Sequence, residues 1–262
     1  MRKNEVLGKI VCGGLVPIVV DERLPALECI GEAVEAGFEA VEVSCRHPRA
    51  AGLIKEAKEK FGHLAVGAAS LIEDGVFRDF IVSTGHPVPS IDEAVGAGAD
   101  FLVSLLPFRE ATYSKYRGSH VLIPGVSTPG EAHQALDWGA NLVKFSNPSL
   151  FGGPAFFKGI DAATHRGFPF FVTGGMRPEN IPDYIEANVL VFGSGFEIIL
   201  GAEFTEMVRR FERTRLQGAL QAYVKAIDSS RQRFQPGVPF SSRDPVAIAA
   251  AGGRCLNAAR EG

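Results

Sequence analysis

Apolar residues in this chain fall into short unbroken runs, and between the runs lie longer stretches whose apolar positions recur every three or four residues. Residues 4–12 (NEVLGKIVC) have the helical spacing and are stopped by Gly13 and Gly14. The run 15–20 (LVPIVV) predicts a first strand, 24–36 a helix closed by Gly37, and 38–44 (FEAVEVS) a second strand. The alternation continues with a helix over 48–61, a strand over 64–70, a helix over 90–99 and a strand over 100–106. An amphipathic stretch at 109–116 precedes a strand at 120–126, and a helix at 129–138 precedes a strand at 141–145. Helices at 154–165 and 178–187 then lead into strands at 168–175 and 189–195, and a long helix at 204–227 follows.

Each predicted strand is apolar on both faces and joined to the next by a helix-length connection, the pattern of a parallel sheet covered by helices. Eight such units predict a closed (β/α)8 TIM barrel, a single domain over residues 1–228 with a short helix in front. Residues 229–245 are rich in Ser, Arg and Pro without a period and read as an extended arm, with a small helix at 246–259. The C-terminal extension 229–262 is therefore expected to pack on the barrel or on a neighbouring subunit.

Composition narrows the function. Lys plus Arg number 27 against 30 for Asp plus Glu, so no basic surplus points to nucleic acid or an anionic membrane. The four cysteines, Cys12, Cys29, Cys45 and Cys255, form no CxxC pair, and the six histidines show no ligand spacing. Free thiols, no metal, no organic cofactor and a cytoplasmic location are the expectation. No leader-like segment follows Met1, and no apolar run approaches the ~20 residues of a bilayer span.

Against this background one residue stands out. Lys144 lies in the apolar strand NLVKF (141–145), followed by a Pro-containing turn and two glycines. An ammonium there is costly to desolvate and responds with a lowered pKa, giving the neutral amine that attacks a ketone; the alternative is a lysine that snorkels to the rim. Barrel active sites lie at the C-terminal strand ends, and those ends supply Glu42 and Arg46 (EVSCR), Ser70 (GAAS), Thr128 (PGVST), Gly174 and Gly175 (TGG), and Gly193 and Ser194 (GSG). A carboxyl in a buried strand suits Glu42 to proton transfer, or to a structural pair with Lys144. The guanidinium of Arg46 suits a carboxylate or phosphate, and glycine loops after the last two strands suit a phosphate or simply tight turns.

The succession VPIVV (16–20), EVSCR (42–46), VGAAS (66–70), PGVSTPGE (124–131), KF (144, 145), GG (152, 153), TGG and FGSG resembles the 2-keto-3-deoxy-6-phosphogluconate (KDPG) aldolase and 4-hydroxy-2-oxoglutarate aldolase family over roughly residues 5–200. The resemblance implies a barrel that trimerises, a Schiff base at Lys144 and general acid/base action by Glu42. It also implies Arg46 and Ser70 near a pyruvate carboxylate and the glycine loops on phosphate. The expected activity is a class I aldolase, a carbon–carbon lyase of carbohydrate metabolism. It would split a 2-keto-3-deoxy sugar acid, with or without a 6-phosphate, or a 4-hydroxy-2-oxo acid to pyruvate and an aldehyde. The other reading is a phosphate-ester-binding barrel without lyase activity, a sensor or scaffold.

Departures from the family pattern bear on the pocket. Where the family reads KFFPA this chain has Ser146 and Asn147 in place of the second aromatic and the proline; the fourth strand ends Ser104-Leu105-Leu106-Pro107; and the third ends Ala69-Ser70. Residues 72–88 are extra chain on the active-site face, expected to form a lid or wall anchored by Val76, Phe77, Phe80 and Ile81, with Glu73, Asp74, Arg78 and Asp79 wet or facing substrate.

Overall fold

The structure, a computed structural model, describes residues 1–86, 88–165 and 167–235. In chain order it runs α1 (Lys3–Gly13), β1 (Leu15–Val19), α2 (Ala26–Glu35), β2 (Ala40–Ser44), α3 (Ala50–Lys60), β3 (Ala65–Leu71), α4 (Val76–Ser83), α5 (Ile91–Gly96) and β4 (Phe101–Ser104). It continues with α6 (Glu110–Tyr116), β5 (Val121–Ile123), α7 (Pro129–Trp138), β6 (Val143–Ser146), α8 (Pro154–Ala163), β7 (Phe170–Thr173), α9 (Ile181–Glu186), β8 (Val191–Gly195), α10 (Phe196–Leu200), α11 (Phe204–Arg209) and α12 (Arg213–Phe234). The strands are all parallel and ordered β5-β4-β3-β2-β1-β8-β7-β6. A parallel bridge between Gly125 and Lys144 brings β5 to β6 and closes the (β/α)8 barrel.

Two apolar layers follow from the strand period of two. Val41, Val43, Val66, Leu102, Leu122, Val143, Phe145 and Phe192 point outward into the core shared with the helices. Val16, Ala40, Ala65, Phe101, Val121, Leu142 and Phe171 point inward, where Val6, Leu7, Ile10 and Val11 of α1 plug the N-terminal mouth. Phe145 anchors the outer layer beside β6, with the rings of Phe156, Phe157 and Phe170 standing edge-on 5.5–5.9 Å away. This packing fixes which way Lys144, one position earlier, must point.

The closing helix differs from its expected form. The apolar period spans a break after Arg209, and α12 begins afresh at Arg213 and continues to Phe234. Residues 229–234, expected as the start of an extended arm, instead continue α12, with Ser230 and Arg231 buried against the barrel. Residues 236–262 of the expected extension, with the helix at 246–259, lie outside the described residues. Among the described residues no helix is long and apolar enough to cross a membrane.

Candidate active site

Alternation along β2 and β6 places the two charged strand residues inside the barrel. Glu42 and Ser44 share the inward direction of Ala40, and Lys144 and Ser146 share that of Leu142. β2 and β6 stand four places apart around the ring, so both side chains cross toward the axis from opposite walls. Each feels the other's charge.

Burial dominates the electrostatics of both groups. Lys144 is 7% exposed, and desolvation holds its ammonium below the usual lysine range; Glu42 pulls the other way, and Arg46 pushes further down. Glu42 is wholly buried, and desolvation pushes its carboxyl up to about 7 while Lys144 pulls it back. Neither carboxyl oxygen of Glu42 has a hydrogen-bond partner among the described residues. Buried polar side chains are nearly always satisfied, and an unsatisfied carboxyl with a shifted pKa in a cleft marks a functional candidate.

The backbone makes these positions rigid. The Lys144 N–H donates to Pro124 O at 2.9 Å and its carbonyl accepts from the Val126 N–H at 2.9 Å, so the lysine sits on the closing seam of the sheet. Glu42 is in register with Gly67, where a Cβ would lie 2.2 Å from the ring of Phe101. Glycine at 67 lets that buried ring slide beneath the pair and form an apolar floor.

Above the floor a cleft of about 510 Å³ opens at the C-terminal strand ends. Of the sequence-predicted residues, Lys144, Glu42, Arg46, Ser70, Gly174, Gly175, Gly193 and Ser194 all border it. On one wall the Ser44 hydroxyl donates to Ser70 Oγ at 3.1 Å and accepts from Arg46 Nε at 3.3 Å, which ties three polar groups into one set. On the other, the hydroxyls of Ser146 and Thr173 meet at 3.2 Å.

Thr128 does not join them. Its hydroxyl accepts from the Glu131 N–H at 3.2 Å and the Glu131 carboxylate accepts from the Thr128 N–H at 3.0 Å, the reciprocal cap of α7. The Thr-Pro-Gly-Glu spacing already carried that signal. The Ser194 hydroxyl, though on a strand bordering the cleft, donates to Met176 O at 3.2 Å.

The loop after β6 takes its own path. Asn147 adopts φ 51, and its N–H donates to Thr173 O at 2.8 Å. A proline can do neither, because its ring fixes φ near −65° and it has no N–H. Two groups are not read from the sequence: Ser44, which supports Ser70 and Arg46 from behind, and Glu197, which borders the cleft. Ser44 was hidden by its apolar strand, although its even spacing from Glu42 gave its direction. Glu197 lies between the predicted strand at 189–195 and the predicted helix at 204–227, where no element is expected.

Comparison with known proteins agrees with this architecture. The sequence model of the family described as "Aldolase: KDPG and KHG aldolase" matches residues 8–203. The 2-dehydro-3-deoxy-6-phosphogalactonate aldolase of Escherichia coli (strain K12) is 28% identical over 202 residues, covering 77% of this chain and 87% of that one. A solved native KDPGal structure superposes with a TM-score of 0.66 at 24% identity, covering 83% of this chain and 96% of that one. The Legionella pneumophila KDPG aldolase structure, with pyruvate captured as a covalent carbinolamine, superposes at 0.65 and 24% identity, covering 82% and 97%. At those identities the two structures bear on the fold, while the family match spans most of the sequence: the chain belongs to the KDPG and KHG aldolase family.

Proposed function

We propose that this protein is a class I pyruvate aldolase acting on a 2-keto-3-deoxy sugar acid or a 4-hydroxy-2-oxo acid. The observation that carries the proposal is the buried Lys144 facing, at the base of the cleft, a buried Glu42 whose carboxyl has no hydrogen-bond partner among the described residues. The neutral amine of Lys144 attacks the substrate C2 carbonyl, and the carbinolamine loses water to an iminium. The Glu42 carboxylate takes the C4 hydroxyl proton, the C3–C4 bond breaks, and its electron pair flows into the iminium to give an enamine and a free aldehyde. The Glu42 carboxyl then returns the proton to C3, and water hydrolyses the imine to pyruvate and the amine. Arg46, with Ser70 beside it, supplies a charge-assisted anchor for the keto-acid carboxylate.

The test is pyruvate release from a panel of 4-hydroxy-2-oxo acids, followed through a coupled reduction of pyruvate. Turnover that is lost in Lys144→Arg, whose guanidinium stays protonated, supports the reading; turnover that survives the substitution contradicts it. The homotrimer expected from the resemblance belongs to the same proposal, and light scattering reads it directly.

A further inference from the structure

The far end of the cleft, where the glycine loops of β7 and β8 suggested a phosphate, is faced by oxygens of this chain itself. Glu197 is the second residue of α10, a helix that follows β8 without a connecting loop. Its side chain folds back over Gly195, so closely that a Cβ at Gly195 would lie 2.3 Å from Oε1 and 2.5 Å from Oε2. The carboxyl accepts from its own backbone N–H, which withdraws an amide that could otherwise meet an anion. Its Oε2 is buried with no partner among the described residues, and the residue borders the cleft.

The neighbouring groups complete the picture. At Gly174, in the loop after β7, a Cβ would lie 2.5 Å from Asn147 Oδ1, so a second acceptor oxygen stands against that glycine. A Cβ at Gly193 would lie 2.6 Å from Thr173 Cγ2 and 3.2 Å from Ile18 Cδ1, so this glycine is required by packing. The Ser194 hydroxyl is directed to Met176 O. Among the described residues the cationic side chains bordering the cleft are Lys144 and Arg46, at the keto-acid end, and the anionic ones Glu42 and Glu197. Asp21, the other acid felt by Glu197, is held by Arg23 through Nε at 2.8 Å and Nη2 at 2.6 Å. Burial raises the Glu197 pKa, with its own N–H and Arg46 drawing it back down. In either protonation state it supplies no positive charge.

We propose that Glu197 is a specificity-determining residue that disfavours a phosphorylated aldehyde half and selects an uncharged, hydroxyl-bearing one, whose O–H donates to Oε2. The inference rests on the aldolase reading and narrows its substrate class. A hydroxyl finds in Oε2 an acceptor that lacks a donor, whereas a phosphate dianion meets a carboxylate in a half-buried wall.

The experiment compares kcat/KM for a six-carbon 2-keto-3-deoxy acid with a free terminal hydroxyl and for its terminal phosphate ester. It uses the parent protein, Glu197→Gln and Glu197→Ser. The parent should prefer the free hydroxyl by roughly tenfold or more, and Glu197→Gln should raise the rate constant for the ester about tenfold while lowering that for the free acid. The serine variant, which removes the carboxyl altogether, should move the ratio the same way, and thermal melts of all three keep a folding defect apart from a change of preference. A parent that prefers the ester, or a ratio unmoved in both variants, overturns the proposal. Borohydride trapping of pyruvate run alongside separates the two readings. An adduct with an unmoved ratio sinks the role of Glu197 alone, and no adduct sinks the aldolase reading with it.

Discussion

Lys144 and Glu42 were legible because charge inside an apolar strand is expensive, and a chain keeps such a residue only where something offsets the expense. The sequence suggests that the two could pair; that they approach from opposite walls of the barrel follows only from strand order and register. Thr128 lies outside the cleft lining and caps α7: a strand-end position and a helix N-cap look alike until the Glu131 partner is counted. Each of the two buried groups draws the other toward its charged form, and burial outweighs that pull in both. Glu42→Gln should lower kcat by roughly 10² to 10⁴-fold with a smaller change in KM, and a rise in KM alone would make Glu42 a binding group. Stability gives an independent reading. Below the ordinary 4.5 both folded and unfolded chains hold the Glu42 proton; between 4.5 and about 7 the unfolded chain releases it and the native state keeps it. Native stability from this group therefore falls as pH rises through that window. The Tm of Glu42→Gln relative to the parent should thus be higher at about pH 8 than at about pH 5, and the reverse order would contradict the burial argument.

The elements around the site were legible wherever the apolar period was clean, as in α7, whose bounds match its expected span at 129–138. The segment 72–88 shows where the period fails. Its apolar residues were expected to anchor it, yet Val76, Phe77 and Phe80 of α4 are 87%, 57% and 61% exposed, and Ile81 packs against the core. A two-turn helix has too few positions for its pattern to say which face is inward. The ties are polar instead: Arg78 donates to Val88 O at 2.8 Å and pairs with Asp74 at 3.3 Å, and Glu73 accepts from the Arg109 N–H at 3.0 Å. Glu73 is therefore spent on holding the loop. Phe77 borders the cleft, so α4 forms part of its wall. Shortening 72–88 to a Gly-Ser turn should leave pyruvate imine formation intact and change relative kcat/KM among aldehydes. An unchanged aldehyde profile with an altered mass by light scattering would make the segment a subunit contact.

At the scale of the molecule the barrel is locked at the end away from the cleft. Arg231, fully buried in the last turn of α12, donates to Cys12 O at 2.8 Å and Val11 O at 2.8 Å in α1, and to Leu190 O at 2.7 Å at the foot of β8. It satisfies carbonyls that the end of α1 leaves unpaired and lies against Gly14, where a Cβ would be 2.7 Å from Nη2. From the sequence this arginine is expected in an extended arm packing on the barrel or a neighbouring subunit, because an apolar period cannot mark a buried charge held by backbone carbonyls. Arg231→Met should cost about 3–5 kcal/mol and lower Tm by roughly 10 °C, since the orphaned carbonyls stay buried. A Tm within about 2 °C of the parent would show that water replaces the guanidinium. The opposite end, held by this lock and floored by Phe101, is where the chemistry is proposed. Its most direct test is treatment with pyruvate and borohydride, followed by intact mass and peptide mapping. One reduced pyruvyl adduct per chain on the peptide carrying Lys144 is the expected result, absent in Lys144→Arg. No adduct, or an adduct on another lysine, would contradict the assignment of Lys144 as the imine-forming residue.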